Sequence, residues 1–249
     1  MVSSLPKREF LLGAAGFILL LAVWEAVVRI FQIPTYILPS LSSIFANAFE
    51  LRGTLMGAAA TTVAEVLIGL ALGTIVGVIL ATLLVLVPAA KTVVLPPLVA
   101  IHSVPSVAYS PLALLWFGVG PEGKVFMVAF VVSYTILLNT LAGLERVDAA
   151  VVNLLRSFGA GPLAILWRLR MPAAAKAIMT GIRLSVVRSM IVAVVTEMLG
   201  AYSGLGWIIF QSAQQTDFLR VWSAVLVTSI TSLALFALVS AAERKVIHW

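Results

Sequence analysis

Residues 118–124 read GVGPEGK, a glycine-spaced segment ending in lysine with the outline of a phosphate-cradling loop. A working loop of that kind follows a strand, opens a helix and ends in Ser or Thr, whose hydroxyl holds magnesium. Val125 stands at that position here and a long apolar run precedes it, so nucleotide chemistry is not expected. The two histidines, His102 and His248, are far apart, and neither belongs to a nucleophile–base–acid set; His248 is assigned no role. Without cysteine, disulfides, cysteine-ligated zinc and iron–sulfur clusters are excluded. Neither intrinsic catalysis nor a metal or cofactor is expected in this chain.

What remains is charge in apolar surroundings. Arg183, Arg188 and Glu197 fall within one apolar run. An ionised group at mid-bilayer costs roughly 2.5–3.5 kcal/mol on insertion scales, so it faces a cavity or a partner. On a helix, Arg183 and Glu197 share a face about 21 Å apart, too far to pair, while Arg188 points about 140° away from Arg183. Two readings stay open. One is structural ion pairing, with Glu65 and Arg188 as a candidate pair; the other is a gate or path lining for an anion. In another apolar run, His102, Ser103, Pro105, Ser106, Tyr109, Ser110 and Pro111 form a polar interruption. Prolines there free backbone carbonyls and are tolerated where the helix faces protein or water. His102, Ser103, Ser106 and Tyr109 are therefore candidates for lining a path, with a hydrogen-bonded structural role for His102 as the alternative.

The elements that must position these residues follow from composition. Of 249 residues, 62% are hydrophobic and only 10% charged, with a mean hydropathy of +1.14. A soluble domain has roughly 45–50% apolar and about 25% charged residues. The bilayer is the expected solvent, and long apolar runs without alternation select helices over barrel strands. About six spans are expected: Leu11–Ile30 and, within residues 54–87, 92–117, 125–144, 177–199 and 221–241, five more. The first is read as an uncleaved span rather than a signal peptide. Residues 40–50 form a short amphipathic helix after Pro34 and Pro39.

The second span carries Gly69, Gly73 and Gly77 at intervals of four, with Glu65 before and Ala81 after on one stripe. Small residues at that spacing let helix backbones approach closely, so the stripe is read as a packing face, with Glu65 toward protein or water.

The net charge of +6 does not indicate nucleic acid, because the cations sit in short loops beside apolar spans. With the N-terminus inside, ten lie inside: Lys7, Arg8, Lys91, Arg146, Arg156, Arg168, Arg170, Lys176, Arg244 and Lys245. Four lie outside: Arg29, Arg52, Lys124 and Arg220. That asymmetry predicts both termini on the cytoplasmic side. The longest inside loop, residues 145–176, is polar yet has apolar faces with Leu154, Leu155, Phe158, Leu163, Ile165, Leu166 and Trp167, split by Pro162. It is either a surface-lying connector or a docking surface for a cytoplasmic partner.

Several motifs carry a family resemblance. Ile37-Leu38-Pro39-Ser40, PLALLWFGVG over 111–120, NTLAG over 139–143, GIRL over 181–184, Glu197-Met198 and SGLG over 203–206 occur in order along nearly the whole chain. In loop 145–176, Gly159, Leu169 and Met171-Pro172 fall at positions of the cytoplasmic loop motif. The sequence resembles the permease subunits of ATP-binding-cassette (ABC) importers of the nitrate, sulfonate and taurine type. The resemblance implies an all-α membrane protein with the type I importer permease fold, as one domain over 1–249. Residues 1–53 would give the first span and an external amphipathic segment, and 54–249 a five-span core.

It further implies a second copy of the chain, a cytoplasmic ATPase dimer that binds ATP and magnesium, an extracytoplasmic binding protein, and a bacterial inner-membrane location. The solute would be a sulfonate, nitrate, taurine or a vitamin precursor. Coupling to the ATPase would fall to Asn153, Leu154, Leu155, Arg156 and Gly159. Asn153 replaces the family's carboxylate there, and Leu154 and Leu155 replace its alanines. Relatives usually have an arginine near His102, apolar residues near Ser106 and Tyr109, and a basic residue near Glu65. The rival reading is an ion-coupled secondary transporter or channel using Glu65, Glu197 and the arginines.

Overall fold

The computed structural model describes residues 7–246, so His248 lies outside the described residues. The described elements are helices. They are α1 (Lys7–Ile30), α2 (Leu41–Glu50), α3 (Arg52–Leu86), α4 (Pro88–Ser103), α5 (Ser110–Phe117), α6 (Pro121–Glu145), α7 (Ala149–Ser157), α8 (Pro162–Ile165), α9 (Met171–Gly200), α10 (Leu205–Gln214) and α11 (Phe218–Val246). Five are long and apolar enough to cross a membrane, and a bent pair supplies a sixth crossing if counted as one span.

The centre is a parallel pair, α3 and α6, with α9 antiparallel to both. Gly69, Gly73 and Gly77 set how closely the pair approaches. A Cβ at these positions would lie 2.6 Å from Val128 Cβ, 2.6 Å from Val132 Cβ and 2.8 Å from Ile136 Cβ. No side chain fits there, so the backbones touch. Val66, Met127, Val128, Val132, Ile136, Val186 and Ala193 fill the adjoining core. Nearer the other end, Gly143 of α6 closes against Ala174 and Ala177 of α9 in the same way.

The two ends of the bundle differ. One, the basic end, gathers the end of α3, the start of α4, the end of α6 and α7, with Lys91, Arg146, Arg156 and Arg170. The opposite end gathers α2, the start of α6, the end of α9 and α10. α1 stands largely apart, with 6% of its apolar window buried. Near the opposite end it is tied by Trp24, whose Nε1 donates to Pro39 O at 3.2 Å and whose ring meets Trp222 edge-on at 5.5 Å.

One expectation is sharpened and one changes. The third span, expected to be interrupted by its prolines, is sharply bent: α4 and the following segment, a 3₁₀ turn (Ser106–Tyr109) running into α5, meet at 90°. Pro105 keeps Val104 extended (φ −76°, ψ 134°), which stops α4 at that point. The loop of residues 145–176 is also shorter than expected. From Pro162 the chain is helical through to Gly200, passing a π turn at Leu166–Arg170. Pro172 lacks an N–H and crowds the carbonyl four residues back, and the wider π turn accommodates it.

Candidate functional site

The 90° bend opens a cavity of about 340 Å³ between the end of α4, the face of α6 and the middle of α9. Its walls include His102, Ser103, Ser106, Phe130, Tyr134, Thr135 and Arg188. The imidazole of His102 is held between two rings of α6. Its centroid is 4.4 Å from Phe130 with planes 20° apart, and 4.1 Å from Tyr134 with planes 8° apart. Phe130 and Tyr134 are four residues apart, so α6 presents both rings on one face, one turn apart. Tyr109 meets Phe130 edge-on at 5.7 Å and donates its hydroxyl to Ile101 O at 2.9 Å, which fastens the turn back to α4.

Arg188 faces this space from α9. Its side chain is exposed, and its Nη1 donates to Thr135 Oγ1 at 3.4 Å. It lies twelve residues from the end of α9, roughly 18 Å down the axis, well inside the span. An exposed guanidinium at that depth cannot face hydrocarbon without a large cost, so the cavity side of α9 meets water or another protein surface.

The other ionisable groups of the spans are arranged differently. Glu65 does not pair with Arg188. Its Oε1 accepts from Lys124 Nζ at 3.0 Å, with both side chains almost fully buried. The reason is register: Lys124 lies in the first turn of α6, where parallel packing sets it beside Glu65 and one turn before the Gly69–Val128 contact. Lys124 is thus a buried cation rather than an external loop charge. Glu197, wholly buried, joins the same knot. Its Oε1 accepts from Thr62 Oγ1 at 2.7 Å, and its Oε2 from the Gly206 N–H at 2.6 Å. Thr62 Oγ1 in turn accepts the Leu205 N–H at 3.0 Å, so the first amides of α10 are held by side chains of α3 and α9. Gly204 has φ +100°, and a Cβ there would overlap the Glu197 carboxylate; SGLG has glycine there for both reasons.

Arg183 is remote from both regions and donates to Glu243 of α11 at 3.2 Å. The structure therefore brings His102, Ser103, Ser106 and Arg188 to one cavity with Tyr109 beside it. It places Arg183 and Glu197 elsewhere. Phe130, Tyr134 and Thr135 were not singled out in the sequence, and Lys124 was read there only as a loop cation. The available signals were the i, i+4, i+8 spacing of Phe126, Phe130 and Tyr134, and the need of Glu65 for a cation.

At the basic end, Asp148 caps α7 by accepting the Ala150 N–H at 2.8 Å. Gly159, at φ +81°, ends it: the Ala160 N–H bonds Leu155 O at 3.0 Å and the Gly159 N–H bonds Arg156 O at 2.9 Å. Val151, Leu154, Phe158, Leu163 and Trp167 are exposed across α7 and the following turn. Asn153 and Arg156 line a second hollow of about 400 Å³ beside Lys91, Glu145 and Arg170.

Known proteins resemble this chain in sequence and in fold. Residues 73–248 match the family described as binding-protein-dependent transport system inner membrane component. A probable ABC transporter permease protein of Haemophilus influenzae is 31% identical over 87% of this chain and 89% of its own. The formylaminopyrimidine transport permease protein ThiX of Halalkalibacterium halodurans is 30% identical over 94% and 93%. The putative aliphatic sulfonates transport permease protein SsuC of Escherichia coli is 30% identical over 87% and 85%. Among solved structures, an inward-facing methionine ABC transporter, MetNI, superposes with a TM-score of 0.69 over 80% of this chain and 98% of the other, at 15% identity, which speaks for the fold alone. An all-helical bundle with a type I importer permease fold, matched over most of its length by that family, belongs to the binding-protein-dependent transport system inner membrane components, the permeases of ABC importers.

Proposed function

We propose that this chain forms the translocation path of an ATP-driven importer for a small polar or anionic solute. It would work in a bacterial cytoplasmic membrane as a pair of copies with a cytoplasmic ATPase dimer and an extracytoplasmic binding protein. The observation that carries this reading is the cavity at the broken third span, with Arg188 open to it in mid-span. A second copy of the chain facing this side would enclose a polar path and remove the arginine from lipid.

The basic end supplies the lever. α7 is a capped, nine-residue helix outside the spans with Val151 and Leu154 exposed and Phe158 exposed just past its end, and such a helix suits a groove in a partner protein. Leu154 and Leu155 would seat on the ATPase, with Asn153 and Arg156 at the edge and Gly159 ending the helix. ATP binding would draw two such helices together and swing the path outward, and hydrolysis would reset it. This chain supplies the path and the lever, and ATP and magnesium belong to the partner. An excess of cations at the basic end supports placing that end and both termini in the cytoplasm.

An ion relay through Glu65 and Glu197 has less support, since both carboxylates are buried and engaged. Reconstitution with the cognate ATPase and binding protein tests the reading. Uptake into proteoliposomes should require ATP and both partners, and uptake that persists without them would overturn it.

A further inference from the structure

The hollow beside α7 shares no lining residue with the cavity at the bend, and its chemistry is that of an anion site. We propose that it binds the phosphate of an anionic phospholipid from the leaflet at the basic end, with the acyl chains along the apolar ends of α3 and α4.

α7 has two faces. Val151 and Leu154 are exposed on one, continued by Phe158 just past the helix. Ala149, Val152, Asn153 and Arg156, spaced i, i+3, i+4 and i+7, line the hollow on the other. The hollow therefore lies behind the surface offered to a partner protein, between α7 and the ends of the spans. Three cations line it, Lys91, Arg156 and Arg170, against one carboxylate. That carboxylate, Glu145, is engaged by Lys91, whose Nζ donates to both oxygens at 2.7 Å. Neither guanidinium has a carboxylate within ion-pair distance among the described residues. The Nε of Arg170 is buried and has no protein acceptor, a state that buried donors rarely keep without a bound group or water. Each guanidinium can grip two oxygens of a phosphate, and the Asn153 amide adds donors at the rim.

The apolar wall decides where the phosphate comes from. Leu84, Val85 and Pro88 close the hollow on the span side, and the exposed Leu83, Val87 and Val93 carry that apolar surface onto the outside of α3 and α4. A soluble phosphate gains nothing from such a wall, whereas a phospholipid lays its chains on it. Basic pockets at the ends of spans hold anionic headgroups in this way, and a hollow of about 400 Å³ has room for one. The bound phosphate would join Arg156 of α7 to Arg170, in the turn that leads into α9, and so fasten the lever to a span. Binding requires only that this end meets the bilayer surface; an effect on uptake would rest on the importer reading above.

The test is lipid retention by the full-length chain, alone and with its ATPase, taken from nanodiscs of equal parts phosphatidylglycerol and phosphatidylcholine and weighed by native mass spectrometry. Phosphatidylglycerol should be retained about tenfold over phosphatidylcholine, and Arg156→Gln with Arg170→Gln should bring the two lipids near parity. Arg244→Gln with Lys245→Gln, which removes the same charge from the exposed end of α11, should leave the preference intact. Equal retention of the two lipids, or an equal loss of preference in both double variants, would overturn the proposal. Displacement of the lipid by excess inorganic phosphate would overturn it in favour of a soluble oxyanion. Displacement by the ATPase would assign the two arginines to the partner protein instead. Because the readout is retained lipid, these failures leave the importer reading standing, and uptake without ATP would leave the lipid site standing.

Discussion

The spans hold charge in two different ways. At the opposite end, Glu65, Lys124 and Glu197 are closed into a knot, with each group bonded to protein and almost none of their surface exposed. In mid-span, Arg188 has a single long bond to Thr135 and opens onto a cavity. Position along the sequence does not separate the two, since Arg188 and Glu197 lie nine residues apart on the same helix. What separates them is whether a neighbouring helix brings a partner. A charge closed by partners holds helices together, and one left open in a span is available to a solute. The rest of the fold follows that division: α3, α6 and α9 pack closely around the knot, and the 90° bend leaves the cavity open beside it.

Breaking the knot should cost the most stability. Lys124→Met leaves Glu65 buried without its cation, and removing one partner of such a pair costs about 3–5 kcal/mol. The melting temperature in detergent should fall steeply, and adding Glu65→Leu should restore much of the loss. An unchanged melting temperature would mean that the knot is not closed. Next in size is Gly73→Ala, whose Cβ would sit 2.6 Å from Val132 Cβ and 2.7 Å from Ala129 O. Prising α3 from α6 should cost about 1–3 kcal/mol on the same thermal measurement; a neutral result would show that the helices part freely there.

The cavity should behave in the opposite sense. Arg188→Gln is expected to leave the melting temperature nearly unchanged while lowering ATP-driven uptake roughly tenfold. A variant that melts as early as Lys124→Met would place Arg188 among the structural charges and remove the distinction. Smallest of all is the Lys91–Glu145 pair at the basic end, 2.7 Å long with both side chains more than a third exposed. Solvent screens it, so Lys91→Ala should cost less than about 1 kcal/mol, and a larger loss would show that proximity alone, without burial, fixes these helices.

The spans and the glycine stripe were legible because both are periodic in sequence: apolar length reports the first, and intervals of four report the second. The partner of Glu65 was not, because Lys124 lies 59 residues away beside a glycine-rich turn and reads there as a loop cation. The break in the third span was readable from Pro105, but its angle depends on how the 3₁₀ turn docks against α6 through Tyr109 and Phe130. The helix from Pro162 to Gly200 was hidden for a different reason. Leu163, Trp167 and the arginines around them give a surface pattern, and nothing in that pattern distinguishes a connector from the protruding start of a span. Phe130 and Tyr134 were overlooked because aromatic residues in a membrane helix resemble lipid-facing ones until a ring is found between them.

A chain without cysteine allows the contrast to be read directly, since each introduced thiol reports alone. Ser103→Cys lies on the cavity wall, and Thr196→Cys lies in the packed interior beside Ser110 and Glu197. In the assembled transporter, a membrane-impermeant thiol reagent should modify the Ser103→Cys variant and stop its uptake, while the Thr196→Cys variant stays unmodified and active. Modification of both at similar rates, or uptake that survives complete modification of the Ser103→Cys variant, would contradict the assignment of the path to this cavity.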